Sequence, residues 1–446
     1  ICAADGLEEW ELLDILSRLI DKSLVEMESR PGGSEGEGGV GTRYRMLESV
    51  REFARGVLPA TEAEAIGRRY SDYYIDLAKR SMTELVGSKQ KLWLALMDSE
   101  YDNFRAAIRT TLANRSDAGP ALRLTAPLQR YWMFRSNWTE PLGYLRSALS
   151  LPGAEERTLE RGAAVTALGN MLRLSAATDE ALVCAREAIE IFTERGAEDQ
   201  LAKSYNNLGA TFLIQMKPEE AMGPLERSLE LSRRIGDEWL AAAVLTNMGN
   251  AAEALGDFKK VRSCQEAALE LFRKLGDRVH SAYVLLWLGI AAYRLQEYDE
   301  ALRRYDEALE IARDLGDRWV MSIILVNRAN TSAAMERFDE ARATLRESIR
   351  MSAESDDATG VAAAVEGFAD LARHEGRLDL AVRIRAACDV LRRDRNAPRR
   401  PFDEERIERE RVEIRGVLGD LAYEAAEREG AALPSEDLRR LVLGED

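Results

Sequence analysis

The sequence predicts an all-α protein, a solenoid of antiparallel helix pairs, and three observations carry that prediction. Columns agree when the chain is laid out in blocks of 40 residues from Ala121. Glycines recur at one fixed place, Gly196, Gly236, Gly276 and Gly316. Small and large apolar residues keep to separate columns, as stacked helices require where their backbones approach closely.

A chain of 446 residues can form two or three domains and bury a substantial core. Hydrophobic residues at 46% and charged residues at 31% are values of a globular protein. A net charge of -16 argues against a general nucleic-acid or anionic-membrane binder. No apolar run approaches the roughly 20 residues needed to span a bilayer, and no basic-then-apolar signal segment opens the chain. The cytoplasm is the expected location. Cys2, Cys184, Cys264 and Cys388 form no C-x-x-C pair, and Cys184 and Cys264 share a repeat position. That pattern reads as packing in a reducing compartment.

The front end, residues 1–59, differs from the rest. Leu12 to Ile20 has helical periodicity, and Ser23-Leu24-Val25-Glu26-Met27 reads as a strand. A Gly-rich stretch from Pro31 to Thr42 leads to a second strand, Arg43-Tyr44-Arg45-Met46. A helix through Val50, Phe53 and Val57 ends before Pro59. Helix, strand, long loop, strand, helix is the closing half of a winged-helix domain, whose opening helices would precede Ile1. A helical spacer is expected over residues 60–120.

Seven blocks of 40 follow over residues 121–400. Gly169, Gly209, Gly249, Gly289, Ala329 and Ala369 form one column, and Ala181, Ala221, Val261, Ala301, Ala341 and Ala381 lie twelve residues on. Between them runs Trp138, Phe258, Tyr298, Phe338 and Leu378, broken by Thr178 and Pro218. Gly at 196, 236, 276 and 316 suits the left-handed residue ending a helix, and Asp237, Asp277 and Asp317 suit the next N-terminus. Asn170, Asn250 and Asn330 also recur, and read as structural. Residues 401–446 are expected to be a helical cap.

The run Tyr205-x-x-Leu208-Gly209-x-x-Phe212, with Ala221, Leu225 and Ser228, resembles the tetratricopeptide repeat (TPR). That family's usual period is about 34 residues, so the extra residues imply helices longer by about a turn and a half in total. HEAT and armadillo repeats have periods near 40 but lack this Gly-to-Ala spacing. The resemblance implies a TPR-like right-handed superhelical solenoid, with the partial winged helix at its N-terminus.

A second resemblance starts at the front. Leu19-Ile20-Asp21-Lys22-Ser23-Leu24-Val25 and Arg43 through Ala54 are similar to the winged helix of bacterial STAND-class signalling ATPases. Glu100-Tyr101-Asp102-Asn103-Phe104-Arg105-Ala106-Ala107 and the tail from Leu418 to Leu433 are similar to segments of the same regulators. The resemblance implies a transcription regulator with an upstream nucleotide-binding module, and a repeat array that senses an inducer and relays its binding to that nucleotide switch. In related ATPases a Met-His-Asp motif opens the last winged-helix helix, its His sensing phosphate. Here Met46, Leu47 and Glu48 stand at those places. Leucine can neither hydrogen-bond nor titrate, so Leu47 is expected to pack rather than sense.

Signals for chemistry are weak. Gly36 to Gly41 has phosphate-loop glycine spacing, but Thr42 replaces the required lysine and strands flank both sides. His280 and His374 have no local nucleophile or metal-ligand cluster. No catalytic residue, metal or cofactor is therefore expected, and this region is not read as an enzyme. The candidate recognition helix carries Arg18 and Lys22 against Glu8, Glu9, Glu11, Asp14 and Asp21, so DNA is a disfavoured partner. The basic run Arg392, Arg393, Arg395, Arg399 and Arg400 precedes Asp403, Glu404 and Glu405 and reads as a solvated junction.

By the TPR resemblance, the first helix of each pair lines a concave groove. Tyr283, Leu286, Ile290 and Tyr293 fall there in one repeat, Ile323 and Val326 in the next, and Lys203, Asn206, Thr246 and Glu253 in others. An apolar, aromatic patch with a polar rim suits a peptide, a partner helix or a small inducer. The chain's own tail or tight curvature is the alternative cover. A free-standing TPR adaptor and a DNA-binding regulator remain the rival functions.

Overall fold

A computed structural model describes residues 8–28, 43–85, 90–135, 139–354, 357–395, 397, 399 and 401–443. Cys2, the Gly36–Gly41 loop, Trp138 and Arg400 lie outside the described residues. The chain divides into two compact units, Ile1–Ser204 and Tyr205–Asp446.

The first unit opens with α1 (Glu9–Asp21), β1 (Val25–Glu28), β2 (Arg43–Met46) and α2 (Glu48–Val57). The backbone N–H of Glu8 donates to Glu11 Oε2 at 2.9 Å, half of a capping box that fixes where α1 starts. The strands pair antiparallel with Val25 opposite Met46, and they are the only strands among the described residues. Next come α3 (Ala60–Glu84), α4 (Gln90–Ala113) and α5 (Gly119–Arg135), with α3 packed on both others. Tyr74 meets buried Phe104 edge-on with ring centroids 5.0 Å apart, and the Tyr70 hydroxyl donates to the Asn103 carbonyl at 3.0 Å. The unit continues through α6 (Thr139–Leu149), α7 (Leu159–Leu174) and α8 (Thr178–Arg195), while α9 (Glu198–Ile214) runs across the division.

The second unit shows the repeat most plainly. Its first helices are α11 (Glu238–Ala254), α13 (Arg278–Arg294), α15 (Arg318–Ala334) and α17 (Ala358–His374), starting 40 residues apart. The second helices that alternate with them are α10 (Pro218–Ile235), α12 (Phe258–Lys274), α14 (Tyr298–Leu315), α16 (Phe338–Glu354) and α18 (Leu378–Asp394). Each helix packs on the next in sequence, as antiparallel neighbours joined by short turns must. The column containing Phe258, Tyr298, Phe338 and Leu378 is the first residue of each second helix.

Local chemistry sets the turns. Gly236, Gly276 and Gly316 take left-handed φ values of 75°, 69° and 68°. The next residue's N–H then reaches back, as from Asp277 to the Phe272 carbonyl at 2.9 Å, and satisfies an end-of-helix acceptor. Asp237, Asp277 and Asp317 cap the following helix by accepting from the backbone N–H three residues on, at 2.9, 3.0 and 3.1 Å. The other turn of each repeat also holds one left-handed residue: Ala176, Met216, Gly256, Gln296, Glu336 and Gly376.

Packing explains the small-residue columns. The ring of Tyr305 lies where a side chain at Gly289 would project, and Leu225 does the same over Gly209. Tyr305 is fully buried, a burial that contributes about 1.5–3 kcal/mol. Three closing helices end the unit: α19 (Pro401–Leu418), α20 (Asp420–Ala431) and α21 (Ser435–Leu443). Leu438 and Val442 of α21 join a buried cluster with Leu345, Ile349 and Ile384.

Candidate functional site

Half-buried side chains along α13 and α15 make up the candidate site. An α-helix advances 100° per residue, so positions three and four apart share a face. Tyr283, Trp287 and Ile290 of α13, with Ile323, Val326 and Asn330 of α15, are all half-buried along these helices. The rings of Tyr283 and Trp319 lie 6.1 Å apart, joining the patch across two repeats. Burial and the Asp317 carboxylate raise the Tyr283 phenol above its ordinary value, so it stays a neutral hydrogen-bonding group.

The sequence-derived residues divide into three groups. Tyr283, Ile290, Ile323 and Val326 are half-buried on adjoining helices, and Val326 also packs against the neighbouring core. Leu286 corrects the expectation: it is only 3% exposed and belongs to the buried core. Trp287, one residue on, is the half-buried side chain at that level, and sequence counting missed it. Tyr293 is half-buried near Asp370 and Arg373 of α17, and burial followed by the Asp370 charge raises its phenol.

Lys203 is exposed. Asn206 accepts a hydrogen bond from Asn247 Nδ2 at 2.9 Å, an inter-repeat link. Asn170 donates to Gln129 Oε1 at 3.3 Å, whereas the buried Asn250 Oδ1 has no hydrogen-bond partner among the described residues.

At α17 the face closes. Glu366 and Asp370 lie 40 residues beyond Val326 and Asn330, yet both are buried. Arg392 grips Glu366 through Nε and Nη2 at 2.9 Å each, and Arg399 also pairs with Glu366. Asp370 pairs with Arg385, and α19 adds Arg406 at 3.7 Å. Burial acts to raise the Asp370 carboxyl, but Arg385 and Arg406 outweigh it and hold the group below the usual range. Arg392 and Arg399 are thus buried in a salt-bridge network, which corrects the solvated-junction reading, while Arg393 and Arg395 are exposed. Desolvation alone would forbid these charges; mutual pairing offsets it.

Elsewhere in this unit a cleft of about 480 Å³ is lined by Arg262, Glu297, Tyr298, Glu300 and Arg304. Its charges already pair with one another, Arg304 Nε with Glu300 at 2.7 Å among them. His280 Nδ1 lies 2.8 Å from Asp277 Oδ2, and its ring stacks on Phe272 at 5.0 Å. His374 is held below the ordinary histidine value by burial and then by Arg373. The buried thiols of Cys184 and Cys388 are pushed up to about 11 and about 12, chiefly by desolvation. Leu47, expected to pack, is instead 45% exposed at the start of α2. Among the described residues no helix is long and apolar enough to cross a membrane.

Comparison with known proteins agrees with this architecture. Residues 201–235 and 240–314 match the tetratricopeptide repeat family, so this stretch is TPR. Residues 320–375 match the family of anaphase-promoting complex subunit 5. Proteins of Mycobacterium tuberculosis and Mycobacterium bovis, provisionally named HTH-type transcriptional regulators, are 28% identical over 271 residues. That alignment covers 59% of this chain and 29% of theirs, so the chain spans under a third of the relatives it matches.

Two solved structures share the fold. The apo quorum sensor NprR of Bacillus thuringiensis superposes with a TM-score of 0.56 at 14% identity, over 85% of this chain and 96% of that one. A STAND protein with a TPR sensor from Pyrococcus horikoshii gives a TM-score of 0.53 at 17% identity, over 81% of this chain and 55% of that one.

Proposed function

We propose that this chain is the inducer-sensing region of a larger STAND-type regulator, binding a peptide or partner helix along α13 and α15. The aromatic and apolar strip of Tyr283, Trp287, Ile290 and Ile323 is the observation that carries the reading. A peptide helix or strand buries such a strip at modest entropic cost when the receptor is already rigid. The solved TPR sensor of a STAND protein and the apo quorum sensor support the same role by likeness of fold. The names of the mycobacterial relatives support transcription as the output.

In this reading the front segment packs against an upstream nucleotide-binding module in the cytoplasm. The relay works only if the inducer binds the two switch states with different affinity. The region itself binds and orients; no reaction is assigned to it.

A displayed random-peptide library, selected on the whole chain, tests the site. Selected peptides should lose at least tenfold in affinity for Ile290→Asp and Trp287→Ala. Peptides that bind both variants as well as the parent would remove the assignment.

A further inference from the structure

Two adjacent repeats of the second unit treat one place differently. Arg328 of α15 is mostly buried, its side chain 21% exposed, and its guanidinium is held by three groups. Nε meets Asp306 Oδ1 at 2.8 Å, Nη2 meets Glu340 Oε1 at 2.9 Å, and Nη1 donates to Thr344 Oγ1 at 3.2 Å. Forty residues earlier each member has a counterpart: Leu288 for Arg328, Glu266 for Asp306, Glu300 for Glu340 and Arg304 for Thr344. All four counterparts line the cleft of about 480 Å³. Leu288 is buried in its floor and lacks the reach and the charge of arginine. This repeat therefore keeps both carboxylates, but around a cleft instead of a guanidinium.

The charges agree with that comparison. The lining holds four carboxylates, Glu266, Glu297, Asp299 and Glu300, and three guanidiniums, Arg262, Arg303 and Arg304. Arg262 pairs with Glu297, Arg303 and Arg304 share Glu300, and Asp299 lies 3.8 Å from Arg337. Glu266 is exposed and makes no ion pair or hydrogen bond among the described residues. Arg303 is 70% exposed, and so exposed a pair adds little stability, so an incoming cation can replace it on Glu300. Half-buried Tyr298 adds an aromatic ring to the wall, a surface on which planar cations stack.

We propose that this cleft binds a guanidinium group between Glu266 and Glu300, carried by an arginine side chain of a partner or by a small guanidine. Carboxylates match the planar fork of N–H donors, as Asp306 and Glu340 do for Arg328. The cleft shares no lining residue with the strip of Tyr283, Trp287, Ile290 and Ile323, so the site does not rest on that reading.

Isothermal titration calorimetry on the whole chain tests the site with N-acetyl-arginine methylamide, methylguanidine and the neutral N-acetyl-citrulline methylamide. The arginine compound should bind saturably and the citrulline compound should not. If methylguanidine matches the arginine compound, the head group alone is recognised; if it binds more weakly, the surrounding peptide contributes. Glu266→Gln should keep the parent's unfolding midpoint and weaken binding tenfold or more. Leu288→Arg should fill the cleft from within, as Arg328 does one repeat on, and abolish binding. No saturable binding of either guanidine, equal binding of the citrulline compound, or unchanged affinity in Glu266→Gln would overturn the proposal. Should Leu288→Arg fail to fold, Glu266→Gln decides alone.

Discussion

Arg392 and Glu366 are joined by two parallel hydrogen bonds, Nε to Oε1 and Nη2 to Oε2, both 2.9 Å, between side chains 9% and 10% exposed. Glu366→Gln leaves Arg392 and Arg399 without that neutralising charge, and breaking such a buried pair costs about 3–5 kcal/mol. The midpoint of urea unfolding should fall accordingly. Replacing Glu366, Arg392 and Arg399 together by Met should restore most of the loss. A single Gln variant that unfolds with the parent would show the network to be idle.

Asp277 gives a pH dependence with a definite sign. Burial acts to raise its carboxyl, but hydrogen bonds from His280 and Trp239 outweigh it and bring the group down to about 2. An unfolded aspartate titrates near ~3.9. The folded value is the lower one, so the stabilisation is whole above pH ~4 and disappears as pH falls through the folded value. Unfolding free energies of the parent and Asp277→Asn, taken between pH 7 and 2, should therefore converge at the acid end. A constant gap would contradict the shift.

Leu286 and Ile290 should respond differently to one substitution. Leu286→Asp places a charge in the core and should unfold the chain or lower its stability by several kcal/mol, about the scale of a buried unpaired charge. Ile290→Asp, at a half-buried place, should keep helix content by circular dichroism and change stability by roughly 1 kcal/mol or less. Equal loss in both would mean Ile290 belongs to the core.

A left-handed turn residue and a close-packed helical glycine offer a paired test. Met216 holds φ 56° with a side chain, a conformation that costs roughly 1–2 kcal/mol for a residue bearing Cβ. Met216→Gly should raise the thermal midpoint modestly, the gain being reduced by glycine's freedom in the unfolded chain. Gly289→Ala should lower it by about 1–3 kcal/mol, because the new methyl group meets the Tyr305 ring. No change in the second would mean that α13 and α14 separate easily.

The repeat was legible because backbone geometry demanded particular residues at Gly236, Gly276 and Gly316, and small ones at Gly249 and Gly289. The companion turn at Ala176, Met216, Gln296 and Glu336 was invisible, since its strain is tolerated by residues of no common type. The groove face was read one residue off at Leu286, where an error of one turns a side chain through 100°. The salt-bridge network was hidden for another reason. Arg392 and Arg399 find Glu366 at separations of 26 and 33 residues, and local charge balance says nothing of partners so far away.

That network also gives the array a direction of growth. Between α11 and α16 the first helices start 40 residues apart and each helix packs on the next, so a duplicated 40-residue unit inserted there would meet a neighbour of the same kind on both sides. After α18 the facing register offers Arg385 and Arg392, already bound to Asp370 and Glu366, in place of a Tyr305 or a Phe272. Lineages that lengthen or shorten the solenoid should therefore do so from within, leaving α17 and α18 intact together with the helix α19 that packs on them.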